Sequence, residues 1–135
     1  VTKPGTVCNT PTCNIDFYPT LLQFAGLRPY PNQHLDGVSI FPLLKNPQAK
    51  LARSTLYWHY PLEKAHFLGG RSSGAIRQGD FKLIEFFDNG DVELYNLTED
   101  ISEKHNLVEE LPEKAAKLQK SLTEWRRDVG AKVPD

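Results

Sequence analysis

The sequence has no methionine, only two cysteines, no long apolar run and no excess of either charge sign. Each shortage closes off a class of protein. Two cysteines are too few for a disulfide scaffold, and with no second pair they do not make the ligand set of a structural zinc site. A local bridge between Cys8 and Cys13 and two free thiols both stay open. No apolar stretch approaches the roughly 20 residues that span a bilayer, and the opening Val1-Thr2-Lys3-Pro4-Gly5 lacks a signal-peptide pattern, so no membrane partner is expected. Sixteen Lys and Arg stand against seventeen Asp and Glu, a net charge of -1. The signs are interleaved, which leaves no basic footprint for nucleic acid. The absence of methionine even at position 1, together with a start in a Pro/Gly-bearing loop, leads us to expect a fragment of a longer protein.

What is there falls into two parts with a boundary near Leu51. In residues 1–51, Asn14 to Gly26 reads as a short helix, with Asp16 as a candidate N-cap, Pro19 tolerated in the first turn and Gly26 as the stop. Phe17, Leu21, Leu22, Phe24 and Ala25 crowd most of its circumference, so the helix is expected to be buried against a sheet that the neighbouring residues do not supply. Asp36-Gly37-Val38-Ser39 reads as a turn, followed by one helical turn to Leu44, and Pro47-Gln48-Ala49-Lys50 as a linker.

Residues 52–135 read as a compact α+β unit. Thr55 to Tyr60 is rich in aromatic and β-favouring residues and stops at Pro61. A loop to about Ser72 follows. Gly74 to Arg77, Phe81 to Phe87 and Val92 to Tyr95 then form a meander, its last turn carrying the Asn89-Gly90 hairpin signal. In the central run Phe81, Leu83 and Phe87 fall on one face, Lys82, Ile84 and Phe86 on the other. From Pro112, the residues Ala115, Leu118, Leu122, Trp125 and Val129 recur at helical spacing up to Gly130, one apolar stripe to cover one sheet face.

The order of Ile15-Asp16-Phe17-Tyr18-Pro19-Thr20-Leu21-Leu22, Asp36-Gly37-Val38-Ser39, Trp58-His59-Tyr60-Pro61, Ala75-Ile76-Arg77-Gln78-Gly79-Asp80-Phe81-Lys82-Leu83-Ile84 and Glu93-Leu94-Tyr95-Asn96-Leu97 resembles the C-terminal region of bacterial arylsulfatase-like enzymes. The likeness spans nearly the whole chain. It implies a four-stranded antiparallel sheet packed on a long C-terminal helix, preceded by the last elements of an alkaline-phosphatase-like α/β domain. Residues 1–51 would then be the edge of that large domain, which would be the partner of residues 52–135. It also implies sulfate-ester hydrolysis by a formylglycine beside calcium, with a sulfated carbohydrate or aryl sulfate as substrate and a periplasmic or secreted location.

The chemistry of such enzymes depends on a Cys or Ser in a C-x-P/A-x-R type motif. Cys8 is followed by Asn9-Thr10-Pro11-Thr12 and Cys13 by Asn14-Ile15-Asp16-Phe17, so neither cysteine fits. No nucleophile or metal ligand is assigned here, and catalysis by the chain alone is not expected. Three residues are candidates for substrate contact. The resemblance places His59 near the mouth of the cleft, where an imidazole donates to a sugar hydroxyl or sulfate oxygen or serves as a structural histidine. His66 and Arg71 lie in the following loop, where a guanidinium can pair with an anion and Gly69-Gly70 gives freedom. Arg77 reads as a structural or interface ion-pair residue. Asp88 and Asp91 lack a calcium-loop pattern and read as turn residues. A self-sufficient module for sulfated sugars, using Trp58, Tyr60 and Arg71, is the rival reading. An exposed apolar helix in the isolated chain would favour self-association.

Overall fold

The computed structural model describes residues 2–30, 32, 36–63 and 70–134. It divides into two units, Val1–Ser54 and Thr55–Asp135. In the first, a 3-10 turn at Asn14–Asp16 runs into helix α1, Phe17–Phe24, and a short helix α2 follows at Phe41–Lys45. Pro19 sits in the first turn of α1, where its missing N–H costs nothing, and Gly26 takes the left-handed conformation that ends the helix.

Asp16 departs from expectation. It occupies the N-cap position of α1 but makes no side-chain cap bond to that helix. Its carboxylate instead accepts hydrogen bonds from the backbone N–H of Cys13 at 2.8 Å and of Val38 at 3.0 Å. Both guanidinium arms of Arg53 close on it at 2.7 and 2.6 Å. A bidentate guanidinium is a stronger claim on a carboxylate than a backbone amide of its own helix. The second crossing point is Gly37, where a Cβ would lie 2.2 Å from the carbonyl oxygen of Ile15, so only glycine lets residues 36–40 pass so close.

The burial expected for α1 is not found within this chain. Phe17, Leu21 and Phe24 are 59%, 63% and 58% exposed. Among the described residues of Val1–Ser54, only Leu43 is a buried hydrophobic side chain, too little to cover the apolar side of this helix.

In the second unit, β1 (Thr55–Tyr60), β2 (Ser73–Gln78), β3 (Phe81–Phe86) and β4 (Val92–Asn96) form one antiparallel sheet in the order β1-β2-β3-β4. Helix α3, Pro112–Asp128, lies across it. Pairing sets Tyr57 opposite Ile76, Ile76 opposite Leu83 and Leu83 opposite Leu94. This row packs on Ala115, Leu118 and Leu122 of α3. Trp125 stacks on Tyr57 with ring centroids 4.8 Å apart. Each fully buried aliphatic side chain contributes about 1.5–3 kcal/mol, so this row is the main source of the unit's stability.

Two details differ from the sequence pattern. Val129 was expected on the apolar stripe but follows the last residue of α3 and is 54% exposed. The buried position is taken by Arg126, whose guanidinium pairs with Glu85 of β3 at 2.5 Å. In the β3–β4 hairpin only Gly90 has positive φ, so Asn89-Gly90 is not the central pair of a two-residue turn, which requires positive φ at both. The loop is longer: the Gly90 N–H donates to the Phe86 carbonyl and the Phe86 N–H to that of Asp91.

Candidate functional site

The antiparallel order brings the β1–β2 connection and the β3–β4 hairpin to the same end of the sheet. Ser72 ties them, its hydroxyl accepting from the Leu62 N–H at 2.9 Å and its carbonyl accepting from the Phe87 N–H at 2.9 Å. Of the sequence-derived candidates, Arg71 and His59 lie at this end.

Arg71 stands here with its charge already answered. Its Nε and Nη2 donate to the two carboxylate oxygens of Asp88 at 3.0 and 2.7 Å, and Nη2 also donates to Asn89 Oδ1 at 2.8 Å. Asp91 lies 3.9 Å away, and the guanidinium sits 3.8 Å from the centre of the Phe86 ring. The Arg71 guanidinium holds the Asp88 carboxyl below its usual value and is itself held more firmly protonated by that hydrogen bond. Two carboxylates around one guanidinium leave this cluster with no surplus positive charge for a sulfate. Asp88, which the sequence explained by turn chemistry alone, is thus also the anchor of Arg71.

His59 points to the opposite side of the sheet from the Phe86 ring. It pairs in register with Gly74, its ring lies 5.3 Å from that of Phe87, and its Nε2 is 2.8 Å from the carbonyl oxygen of Lys132. A carbonyl only accepts, so Nε2 carries the proton. His59 therefore fastens the segment after α3 to the sheet. Gly74 matters because a Cβ there would meet both Arg126 Nη1 and Phe87 Cζ at 3.1 Å. The Glu85–Arg126 pair, with Gln119 donating to Glu85 at 3.0 Å, was missed in the sequence. Arg126 lies within one residue of the apolar stripe, and that adjacency was the only signal. His66 lies outside the described residues.

The thiols of Cys8 and Cys13 are free. They donate to the Pro47 carbonyl at 3.4 Å and to Asn14 Oδ1 at 3.3 Å. A cavity of about 580 Å³ in the first unit is lined by Cys8 with Lys3, Leu43, Lys45 and Pro47 among others. Its walls hold no carboxylate or imidazole, so it contains none of the three candidate residues. Among the described residues no three His, Cys, Asp or Glu side chains come together as a metal-binding group. The described residues thus offer no ligand group for the calcium that the resemblance implies for the parent. No described helix is long and apolar enough to cross a membrane.

The four-stranded antiparallel sheet backed by a C-terminal helix matches the C-terminal domain of solved sulfatase structures. The chain belongs to the family described as N-sulphoglucosamine sulphohydrolase, C-terminal, which matches residues 1–129. It is 34% identical to a sulfatase of Formosa agariphila, over 93% of this chain and 25% of that protein. It is 33% identical to an N-acetylglucosamine-6-O-sulfatase of Bacteroides thetaiotaomicron, over 98% of this chain and 24% of that one. A solved structure of a protein in complex with its substrate D-glucosamine-2-N,6-O-disulfate superposes with a TM-score of 0.77 at 30% identity, covering 93% of this chain and 26% of that chain. The chain thus spans about a quarter of the length of the relatives it matches.

Proposed function

We propose that this chain is the non-catalytic C-terminal part of a sulfatase that acts on a sulfated amino sugar. In this reading sulfate-ester hydrolysis is done by residues that precede it in the parent polypeptide. The observation that carries the reading is helix α1, whose Phe17, Leu21 and Phe24 are left exposed in a unit that cannot cover them. An apolar patch of this kind marks a surface meant for further protein, and the relatives carry about three quarters of their length outside the match. The substrate class is drawn from the glucosamine sulfates named for the similar proteins. Calcium and formylglycine, as metal and nucleophile at the sulfate, would belong to the parent's other residues.

Within this reading the chain shapes the cleft. Arg71 braces the β3–β4 hairpin against the end of the β1–β2 connection, and His59 fixes the segment after α3. The test is an assay of the purified chain with an aryl sulfate and with glucosamine 6-sulfate, calcium present. No sulfate release is expected, and release that follows the chain through purification would overturn the reading.

A further inference from the structure

The sheet face turned away from α3 carries an unanswered cation. Register places Leu56, Arg77, Lys82 and Tyr95 side by side across the four strands. Arg77 and Lys82 are thus like charges directly opposite each other, an arrangement that destabilises a sheet unless each is neutralised. Lys82 is neutralised: its Nζ donates to both carboxylate oxygens of Glu103, at 2.7 and 2.8 Å. Glu93, also on this face, accepts the Tyr95 hydroxyl at 3.0 Å. Arg77 has no such partner among the described residues. Its Nε is buried without an acceptor among the described residues, and no ion pair links it to any of them. A buried donor left without an acceptor is destabilising, more so when it is charged. The same face exposes two large aromatics of β1, Trp58 at 39% and Tyr60 at 48%, and Ile84 and Phe86 of β3 are half-buried. It is a surface of aromatic and aliphatic groups with one positive charge set into it.

We propose that Arg77 anchors the docking of this sheet face onto the catalytic portion of the parent sulfatase, which presents a carboxylate to the guanidinium within an apolar contact. The inference rests on the functional reading above. Charge selects the occupant: the face's own acids are engaged, so the missing group is an acid supplied from outside, and the relatives' remaining length is where it comes from. Arg is suited to the role, because its planar fork takes a carboxylate through two parallel bonds and loses less hydration than Lys.

The experiment compares Arg77→Met in two contexts, the whole parent polypeptide and this chain alone, by equilibrium unfolding, with sulfate release measured on the wild-type parent. In the parent, removing one member of a buried charge pair is expected to lower the folded-to-unfolded ratio about thirtyfold or more. In the chain alone, where no pair exists, the apolar replacement is expected to leave stability unchanged or raise it. Arg77→Lys, which keeps the charge but not the fork, should fall between the wild type and Arg77→Met in the parent. Equal destabilisation in both contexts would mean a local structural role and overturn the anchor, as would no effect in either. If the wild-type parent releases no sulfate, the functional reading fails and the inference with it. If it does while Arg77→Met is silent, only the anchor fails.

Discussion

Asp16 holds the first unit together from a fully buried position, joining the backbone at Cys13 and Val38 to the side chain of Arg53. Breaking a buried ion pair by removing one charge costs about 3–5 kcal/mol. Asp16→Asn is therefore expected to unfold much of Val1–Ser54 while Thr55–Asp135 stays folded, checked by backbone NMR of the two sets of residues. Burial pushes the Asp16 carboxyl up, but the hydrogen bonds from Arg53 and from the Cys13 and Val38 amides outweigh it, so its pKa lies below the ordinary value. A depressed carboxylate contributes stability that is present above the unfolded value, about 3.9, and is lost as pH falls through the folded one. The first unit should hold above that value and loosen in stronger acid, which the same NMR signals of the wild-type chain followed against pH would show. Tyr95 behaves oppositely in pH. Burial, and then the hydrogen bond to Glu93, push its phenol up to about 12. Its contribution is complete below the unfolded value near 10 and is lost as pH rises through about 12. Burial raises the Tyr57 phenol as well, so an ultraviolet titration should show Tyr95 among more than one late-ionising tyrosine, and Glu93→Gln should move the Tyr95 midpoint down. At this scale the sequence was least legible. Asp16 was noticed as a helix start, but three of its four contacts come from Val38 and Arg53, which only the fold brings near. Arg71 was legible as a charged loop residue, yet the hairpin carboxylate that holds it lies 17 residues away in sequence.

At the scale of elements, the pattern of apolar residues served well because it follows directly from geometry. A period of two set Leu83 on one face of β3, which the structure shows to be the face the helix covers, and a period near 3.6 placed Ala115, Leu118 and Leu122 on one stripe of α3. Replacing Leu122, which is fully buried, with Ala should cost about 2–5 kcal/mol. Val129→Ala, just past the helix and 54% exposed, should cost under about 0.5 kcal/mol. Urea unfolding of the two variants checks the contrast, and similar losses would mean that the helix runs on and packs further than described. The errors also have element-level causes. The periodicity continues to Val129 in sequence, but Gly130 with its positive φ ends the helix first. The Asn89-Gly90 pair signals a turn correctly, yet the turn's length is set by the Asp91 and Phe86 backbone bonds, which composition does not encode.

At the scale of the whole molecule, the two units differ in completeness. Thr55–Asp135 has its own core of Ile76, Leu83, Leu94, Ala115, Leu118 and Leu122, whereas Val1–Ser54 exposes the apolar side of α1. Isolated in solution, the chain is expected to self-associate in a concentration-dependent way through that helix, and Leu21→Glu with Phe24→Glu should keep it monomeric in sedimentation velocity. A chain monomeric without these changes would show that α1 does not need a cover. The family itself was legible because five motifs stand in a fixed order, whereas the substrate-contacting residues were not, since a loop histidine or arginine has the same appearance whether or not it meets a ligand. In the proposed function, sulfate-ester chemistry and this chain belong to one sulfatase but not to the same residues. Sulfate release from glucosamine 6-sulfate by the whole parent polypeptide, by the parent lacking residues 1–135 and by this chain tests this. Release is expected from the whole parent, little or none from the shortened one and none from the chain. Turnover by the chain alone would contradict this reading.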